Sequence, residues 1–500
     1  MAPVSQMIDV AATPPNSPEP LLPDPDTTPL VVDLDGTLVV GDTLVEGLAL
    51  LVSARPASLA RLPLWLLRGK ASFKQAVAAR AGLSPASLPF NPEVMRRLRA
   101  AKAAGRPAYL ATGADRATAE TLAQYLGHEI GAPLDGVFAS DGKISLTGAR
   151  KAARLCDAFG HGGFDYIGDE GRDLAIWRVA RRALVVAPSE RLLARLYRVA
   201  PDAEVIPGTT PRLLDYVRAL RPHQWLKNVL VFLPLIAAHV IAGEAFLAAL
   251  GAFAALCLVA SGTYLGNDIL DLPEDRAHPS KCRRPLASGS MPLGHGLALA
   301  PVLVLAGLAL AAAVSMGVLA LVGVYLVGTS AYSLYFKRQI FVDVVILAAL
   351  YVVRVLVGVA AIGVPVSPWF LAFSMFLFLM LALVKRHKEL TGLLAAERTQ
   401  ADGRAYAVGD LPVLAALGAA SGFAAVLVLA LYLNSPEVDT RYTRPEVLWL
   451  LCPLLMYWMG RLLILANRGE VHDDPVVFAL GDRVSLIVGA LSAASFAGAL

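Results

Sequence analysis

The sequence predicts two parts of different fold class, an α/β domain over residues 30–208 and an all-α, polytopic membrane domain over residues 209–500. The first observation is the composition. Of the 500 residues, 56% are hydrophobic and 17% are charged, which is too apolar for a pair of ordinary soluble domains. The second is that the apolar excess lies after about residue 225. The third is that short β-rich runs alternate with helical stretches before that point, which is typical of a parallel sheet.

Residues 1–29 are rich in proline and poor in core-forming side chains, so we expect a disordered tail. The tail carries no basic-then-apolar signal sequence, and the α/β domain is therefore expected to stay in the cytoplasm. The net charge of +4 comes from Lys and Arg residues at the ends of apolar segments, which argues against a nucleic-acid partner. Four widely spaced cysteines indicate neither a disulfide framework nor a zinc site.

Four runs in the α/β domain, LVVDLD, RPAYLATG, FDYIGD and ALVVAP, are predicted strands of a parallel sheet with a ligand site at its carboxyl edge. Between the first two runs, residues from about 43 to about 105 are predicted to form a small helical cap over that edge. The apolar stretch at 62–67 either packs within this cap or touches the bilayer, and packing within the cap is the favoured interpretation.

Carboxylates follow two of the predicted strands. Asp33 and Asp35 lie two residues apart at a strand end and point the same way, so one can attack phosphorus while the other donates a proton to the leaving group. Their mutual repulsion requires a cation. Asp169 and Asp173, in the stretch GDEGRD, can complete a magnesium shell.

Two further side chains can hold a phosphoryl group: Thr112 at the end of the second strand and Lys151. The ordered set DxDGT at 33–37, Thr112, Lys151 and GDxxxD at 168–173 resembles the four motifs of the haloacid dehalogenase superfamily. The resemblance implies a Rossmann-like fold and a Mg²⁺-dependent phosphatase, with Lys143 as a weaker candidate for the lysine. It also implies individual roles: Asp33 as nucleophile, Asp35 as acid/base, Thr112 and Lys151 as phosphate ligands, and Asp33, Asp35 (through its carbonyl) and Asp169 as metal ligands. A silent binding module is the alternative.

After Trp225 about nine apolar segments are long enough to cross a bilayer. The loops expected on the cytoplasmic side carry Lys and Arg at 281–284, 337–338 and 385–388, whereas all but the last of the opposite loops carry none. This asymmetry predicts a multi-pass protein of the inner (plasma) membrane with its soluble domain on the cytoplasmic side. The predicted spans are 226–243, 247–266, 293–313, 315–335, 341–363, 367–385, 411–433, 446–467 and 483–500.

An acidic motif, NDxxDxxxD, ends the second predicted span. Asn267, Asp268, Asp271 and Asp275 have spacings that place three of these groups on one helix face, an arrangement that is costly beside lipid unless divalent cations separate the carboxylates from a diphosphate. A solvated loop is the alternative, although it would not need helical spacing. Pro273 is expected to end or kink the helix and re-aim Asp275, which makes Asp275 the least secure metal ligand of the four.

A basic stretch follows the acidic motif. Lys281 and Arg284 can pair with phosphate oxygens, or serve only as positive charges at the membrane edge. Together the two stretches resemble the UbiA superfamily of intramembrane transferases over about residues 215–500. The closer resemblance is to its decaprenyl-phosphate phosphoribosyltransferase branch, and it is carried by the stretches at 221–232, 267–289, 331–344, 385–390 and, more weakly, 474–485.

The resemblance implies Mg²⁺ held by Asn267, Asp268, Asp271 and Asp275, a diphosphate-bearing donor and a polyprenyl phosphate acceptor. Four further cations would receive phosphates beside Lys281 and Arg284: Lys227, Lys337, Lys385 and Arg386.

The basic loop after the sixth span separates two donor classes. Aromatic prenyltransferases of the superfamily usually carry a second acidic motif there, which Glu389, Glu397 and Asp402 do not reproduce. A cationic loop suits a donor with extra phosphates, so phosphoribosyl diphosphate is favoured over a prenyl diphosphate. An aromatic prenyltransferase is the second hypothesis, and a transporter with a regulatory domain is the third.

Overall fold

The computed structural model describes residues 27–54, 58, 61–67, 69–141, 145–208, 211–240, 243–395, 397, 405–471 and 474–500. Most of the predicted tail, Lys143 and Asp402 lie outside these ranges. The chain divides into two compact units, Met1–Thr210 and Pro211–Leu500.

A six-stranded sheet forms the centre of the first unit, with the order β3-β2-β1-β4-β5-β6 and every neighbouring pair parallel. The central strand consists of three buried aliphatic residues, as expected when helices cover both faces of a parallel sheet. The predicted α/β class is therefore confirmed. The strands are β1 (Leu30–Val32), β2 (Ala108–Asp115), β3 (Gly136–Ser140), β4 (Asp165–Gly168), β5 (Arg182–Val186) and β6 (Glu204–Ile206).

Eight helices accompany the sheet, and the first four of them lie between β1 and β2. The helices are α1 (Thr43–Ala54), α2 (Leu62–Leu67), α3 (Lys70–Ala81), α4 (Pro92–Ala103), α5 (Arg116–Ile130), α6 (Ala149–Phe159), α7 (Leu174–Trp177) and α8 (Glu190–Leu196). The predicted cap extends too far, because Val94 and Leu98 of α4 are buried in the main core against the sheet. The cap helices are α1 to α3.

The boundary between cap and core lies at Asn91. Its side chain accepts hydrogen bonds from the backbone N–H groups of Glu93 and Val94, and Pro92 occupies the first turn of α4. Within the cap, Trp65 of α2 packs with Leu51 and Phe73 in a small separate core. Packing within the cap therefore accounts for Trp65, whereas Leu64, Leu66 and Leu67 of α2 lie on the surface.

Helices are the main elements of the second unit among its described residues. Its helices are α9 (Leu213–Leu220), α10 (Leu233–Ala237), α11 (Gly243–Leu270), α12 (Leu272–Ala277), α13 (Leu293–Val314), α14 (Met316–Leu334), α15 (Val342–Ile362), α16 (Pro368–Ala395), α17 (Leu411–Leu433), α18 (Pro436–Arg441), α19 (Leu451–Asn467), α20 (Pro475–Gly481) and α21 (Arg483–Ala499).

Seven helical segments among the described residues are long and apolar enough to cross a membrane, and the pair α20 and α21, bent by 81°, gives an eighth if counted as one span. The molecule is a multi-pass membrane protein. The predicted count of nine is only approximate, since the first predicted span, 226–243, overlaps a 3₁₀ segment, Pro222–Phe232, that is followed by the short α10. Proline at the start of each piece favours these breaks.

Close packing holds the 3₁₀ segment against α15. A Cβ atom at Gly358 would lie 2.1 Å from the carbonyl oxygen of Val231, so only glycine allows this approach. Gly358→Ala is expected to destabilise the second unit by ~1–3 kcal/mol through overpacking. Gly323 of α14 is the matched control, because its Cβ would meet nothing within 4 Å. The measurement is the melting temperature of the detergent-solubilised protein, and equal melting temperatures for Gly358→Ala and Gly323→Ala would contradict the prediction.

Candidate active sites

The first site lies at the carboxyl edge of the sheet, where strand ends place the predicted residues together. Asp33 directly follows β1, Asp169 directly follows β4, and Thr112 lies buried near the end of β2. Lys151 reaches the edge from the first turn of α6. Parallel strands present their carboxyl ends at one edge, which is why residues far apart in sequence meet here.

Lys151 is the cation of this site. Its Nζ lies 2.8 Å from Asp33 Oδ2 and 3.9 Å from Asp173 Oδ1, and its side chain is buried. Burial alone would lower the pKa of Lys151, but the neighbouring Asp33 and Asp173 reverse the effect and raise it. Lys151 therefore stays charged beside the predicted nucleophile.

Three carboxylates form the predicted cation site. One oxygen each of Asp33, Asp169 and Asp173 lies within 4.8 Å of the others, and no other such group of acidic, His or Cys side chains occurs among the described residues. Burial first, and then mutual repulsion, raises the pKa of Asp169 to about 8 and that of Asp173 to about 6. Three carboxylates share the single cation Lys151, and an oxygen-only donor set of this kind fits Mg²⁺.

Asp35 occupies a different position from the three clustered carboxylates. Its Oδ1 accepts a hydrogen bond of 2.7 Å from the backbone N–H of Thr43, at the start of α1. Burial, followed by the nearby Asp42, raises the pKa of Asp35 to about 7. A carboxyl group that holds its proton near neutral pH suits the predicted acid role. Metal binding through its carbonyl stays a prediction.

Sequence reasoning missed Tyr166 of β4. Its hydroxyl accepts a hydrogen bond of 3.0 Å from Lys151 Nζ and donates one of 3.0 Å to Asp173 Oδ1. Tyr166 is fully buried, and it orients both the cation and one carboxylate of the cluster. The available signal was a polar aromatic residue inside a buried strand directly before GDEGRD.

The second site lies where α11 ends and α12 begins. Asn267 and Asp268 lie in the last turn of α11, Asp271 directly precedes α12, and Asp275 lies within α12. Pro273 occupies the first turn of α12, so the helix breaks two residues before the proline and Asp275 returns to the buried side.

Two arginines hold the buried carboxylates of this site. Nη1 of Arg284 lies 3.0 Å from Asp268 Oδ1 and 2.5 Å from Asp275 Oδ2. Arg221 forms an ion pair with the same Asp268 oxygen and stacks over the ring of Tyr264. Asp268 and Asp275 thus converge on one position, which Arg284 occupies. Arg221 was not among the predicted site residues, although it begins one of the stretches that carry the resemblance.

The remaining members of the acidic motif face a more open region. Asp271 has 43% of its side chain exposed, and Lys337 Nζ lies 3.7 Å from its Oδ1. Asn267 Nδ2 donates a hydrogen bond of 3.1 Å to Ser333 Oγ. Lys281 is exposed. The four predicted Mg²⁺ ligands do not form a cluster as tight as that of the first site, but all present the oxygen donors that Mg²⁺ prefers.

Lys227, Lys385 and Asp474 form a basic group in the helical unit, separate from the acidic motif. Lys227 Nζ and Lys385 Nζ lie 2.8 Å and 3.2 Å from one oxygen of Asp474, and Tyr351 donates a hydrogen bond of 3.1 Å to its other oxygen. Asp474 was only part of the weakest stretch of resemblance. Two lysines sharing one carboxylate leave a net positive charge, which suits a phosphate ligand.

Arg386, the last predicted phosphate ligand, lies in a different environment. It is fully buried, with Nη2 at 2.6 Å from Asp343 Oδ2 and an ion pair to Glu389. Tyr406 donates a hydrogen bond of 2.7 Å to Asp343 and stacks against the guanidinium. These contacts give Arg386 a structural role in joining α15 to α16.

Comparison with known proteins identifies the family of the helical unit. Residues 229–481 match the model of the UbiA prenyltransferase family. The uncharacterized protein y4nM of Sinorhizobium fredii is 34% identical over 476 residues, which cover 94% of this chain and 91% of that protein. The chain belongs to the UbiA prenyltransferase family. A decaprenyl-phosphate phosphoribosyltransferase of Mycolicibacterium smegmatis is 34% identical over 209 residues, covering 41% of this chain and 65% of that protein.

Solved structures resemble each unit of this UbiA family member. A UbiA homolog from Archaeoglobus fulgidus bound to GPP and Mg²⁺ has a TM-score of 0.44 at 16% identity, covering 57% of this chain and 99% of that chain. A haloacid dehalogenase (HAD) family hydrolase from Salmonella enterica has a TM-score of 0.27 at 17% identity, covering 37% and 68%.

Gly36 tests the cation site in the first unit. It has a φ of 75°, and a Cβ there would lie 2.1 Å from Asp169 Oδ2, so Gly36→Ala should displace Asp169. Gly131 is the matched control, since it also has positive φ, at 80°, but its Cβ would meet nothing within 4 Å. Each change costs about 1–2 kcal/mol in backbone strain. Mg²⁺ is expected to slow amide exchange around 33–40 and 165–173 in the parent and in Gly131→Ala but not in Gly36→Ala. Unchanged Mg²⁺ protection in Gly36→Ala would refute the site.

Proposed function

We propose that the helical unit transfers a phosphoribosyl group from phosphoribosyl diphosphate to a polyprenyl phosphate, and that the α/β unit removes the phosphate from the sugar of the product. The observation that carries the first half is the convergence of Asp268 and Asp275 on Arg284 at the end of a membrane helix. Buried acids and arginines so arranged can exchange partners for Mg²⁺ and a diphosphate. The 34% sequence identity with a decaprenyl-phosphate phosphoribosyltransferase over 209 residues supports this donor and acceptor.

In the transfer step, an oxygen of the lipid phosphate attacks the anomeric carbon of the sugar, and the bond from that carbon to the diphosphate oxygen breaks. The diphosphate leaves with the electron pair, so negative charge grows on it as the bond lengthens. Arg284, Arg221 and Lys337 lie where their guanidinium and ammonium groups can stabilise that charge, and the exposed Lys281 can approach from the loop.

The metal sites complete both reactions. Bound Mg²⁺ would neutralise diphosphate oxygens beside Asn267, Asp268, Asp271 and Asp275, and phosphoryl oxygens beside Asp33, Asp169 and Asp173. The basic group of Lys227 and Lys385 supports a donor with a further phosphate, because a prenyl diphosphate has no additional anion to place there. Arg386 takes no part in this proposal.

In the dephosphorylation step, Asp33 attacks phosphorus, and the bond from phosphorus to the sugar oxygen breaks while Asp35 donates its proton to that oxygen. Water then attacks the aspartyl phosphate, loses a proton to Asp35, and releases phosphate and free Asp33. Lys151 neutralises the phosphoryl oxygens. Thr112 Oγ1 accepts a hydrogen bond of 3.0 Å from Ala114 N–H, which leaves its own O–H able to donate to phosphate.

We also propose that both sites face the cytoplasm from the plasma membrane. The Lys and Arg residues of the acidic-motif loop and of the 337–338 and 385–388 segments support this orientation, because positive charges concentrate on the cytoplasmic side. Phosphoribosyl diphosphate is a water-soluble donor and would reach the site from the same side.

Asp271 is the cleanest probe of the transferase. Asp271 is partly exposed, so Asp271→Asn removes no ion pair of Arg221 or Arg284, unlike a change at Asp268. With labelled phosphoribosyl diphosphate and polyprenyl phosphate, Asp271→Asn is expected to lower labelled-lipid formation at least a hundredfold, or about 2.7 kcal/mol. Glu274→Gln, an exposed carboxylate on the same short helix, is the control and should retain activity.

The substrates distinguish the two donor classes. Labelled lipid from phosphoribosyl diphosphate supports the proposal, whereas formation of a prenylated hydroxybenzoate from a prenyl diphosphate, without any labelled lipid, would replace it with the aromatic prenyltransferase. Full transferase activity of Asp271→Asn would contradict the assignment of Asp271 as a metal ligand.

Asp33→Asn tests the phosphatase. The variant should make the phosphoribosyl lipid and fail to remove its phosphate, because the amide cannot act as the nucleophile. Lipid extracts after incubation are expected to accumulate the phosphorylated product in Asp33→Asn, and the dephosphorylated product in the parent and in Asp157→Asn, an exposed control on α6. Identical lipid products from parent and Asp33→Asn would refute the second half of the proposal.

A further inference from the structure

Arg354, in the middle of α15, is a buried cation to which the transfer step described above gives no role. Its guanidinium donates hydrogen bonds of 3.0 Å to Asn228 Oδ1, 2.8 Å to the carbonyl oxygen of Leu350 and 3.1 Å to the hydroxyl of Tyr325. All three acceptors are neutral, and Arg354 forms no ion pair among the residues that the structure describes. No directly bound carboxylate therefore compensates its charge.

Arg386, on the next long helix, shows the opposite arrangement. It is also buried, but it forms ion pairs with Asp343 and Glu389. A charge inside a bundle of membrane helices is costly, and it is found where it pairs with an opposite charge or serves a ligand. Arg386 is accounted for by its two acids, whereas the charge of Arg354 indicates an anionic ligand.

Two contacts join Arg354 to the basic group. Its guanidinium carbon lies 5.1 Å from the ring centroid of Tyr351, whose hydroxyl donates a hydrogen bond of 3.1 Å to Asp474. Its Nε holds Asn228, the residue that directly follows Lys227 in the 3₁₀ segment. Arg354 therefore belongs to the same charged region as the two lysines.

The charge of this enlarged group matches one class of ligand. Lys227, Lys385 and Arg354 contribute three positive charges and Asp474 contributes one negative charge, so two positive charges remain. A phosphomonoester carries about −1.5 to −2 charge near pH 7. Of the five N–H donors of a guanidinium, Arg354 uses three in its hydrogen bonds, which leaves two for phosphate oxygens. A phosphodiester, with one negative charge, or a sugar hydroxyl, with none, fits less well.

The 3₁₀ segment connects this region with the acidic motif. Arg221, directly before the segment, pairs with Asp268 of α11. Trp225 Nε1 donates a hydrogen bond of 2.9 Å to Ser261 Oγ, about two turns earlier in α11, and Lys227 follows two residues later. The segment thus runs along α11 from the acidic motif to the basic group, so a substrate held at the motif can present a second phosphate to the basic group.

We propose that Arg354, together with Lys227 and Lys385, binds a phosphomonoester dianion carried by a substrate of the helical unit. The proposal rests on the proposed transferase and identifies Arg354 as a residue that selects its substrate. Two groups of that reaction share this chemistry: the 5-phosphate of phosphoribosyl diphosphate and the phosphate of the polyprenyl acceptor.

The first measurement compares two labelled donors with the full chain in lipid nanodiscs, phosphoribosyl diphosphate and ribosyl diphosphate, which lacks the 5-phosphate. If the 5-phosphate binds at Arg354, the parent should prefer phosphoribosyl diphosphate at least a hundredfold in kcat/KM. Arg354→Met should reduce this preference at least tenfold, and Arg354→Lys, which keeps the charge, less than threefold. Val355→Ala, at the neighbouring buried position of α15, is the matched control, because it weakens packing without removing a charge and should retain the preference.

The second measurement is the KM for polyprenyl phosphate at saturating phosphoribosyl diphosphate. If the acceptor's phosphate is the group bound at Arg354, Arg354→Met should raise this KM at least tenfold and leave the donor preference unchanged, and Val355→Ala should alter neither. Arg354→Gln, whose amide can still donate to Asn228, provides the same two measurements if Arg354→Met does not fold.

One result would overturn this inference and leave the transferase in place: an unchanged donor preference together with an unchanged acceptor KM after the loss of the Arg354 charge. An equal loss of activity with both donors belongs to that result, because it indicates a role in folding alone. Failure of the parent to make labelled lipid from either donor would overturn the proposed transferase as well.

Discussion

The compensation of buried carboxylates by cations from other segments is the constraint on which both units depend. Asp33 meets Lys151, Asp268 meets Arg221 and Arg284, and Asp343 meets Arg386. A buried carboxylate without such a partner would cost several kcal/mol in desolvation. Because each pair joins residues from different elements, the charge requirement also fixes how strands and helices are placed, and it draws the reactive groups of each site together.

The parts that the sequence predicts well are those with a periodic or local signal. LVVDLD identifies the central strand because a strand buried on both faces must be continuously apolar, and Asp33 then falls at its carboxyl end. The long spans follow from apolar length, as in Gly243–Leu270. The break near Pro273 also follows from a local rule, since proline is best accommodated in the first turn of a helix.

Other features depend on contacts that no local pattern encodes. From the sequence alone, Tyr166 is an ordinary core residue of a buried strand. Only the folded structure shows that its hydroxyl bonds to Lys151 and Asp173. In the sequence, Arg386 belongs to a basic segment that is typical of an exposed loop. In the structure it is fully buried and forms an ion pair with Asp343 of α15. The first predicted span fails for a similar reason, because its apolar residues pack as a 3₁₀ segment against α15 around Gly358 rather than continuing as one long helix.

The site of the helical unit combines both kinds of feature. Its acidic motif is recognisable from spacing, yet the fold separates the four residues into two buried carboxylates held by Arg284 and a more open pair near Lys337 and Ser333. The carboxylates of the α/β unit, in contrast, already cluster within 4.8 Å. The same cation is therefore expected to find one site preformed and the other only after arginine side chains move.

Asp474 has a further consequence for how this protein is made. It joins Lys227, which lies 247 residues earlier in the chain, and Lys385, 89 residues earlier. The two lysines emerge from the ribosome long before the carboxylate that holds them together. The basic group can therefore form only after Asp474 has been synthesised, so a nascent chain stalled before α20 would carry both lysines without the carboxylate that pairs them.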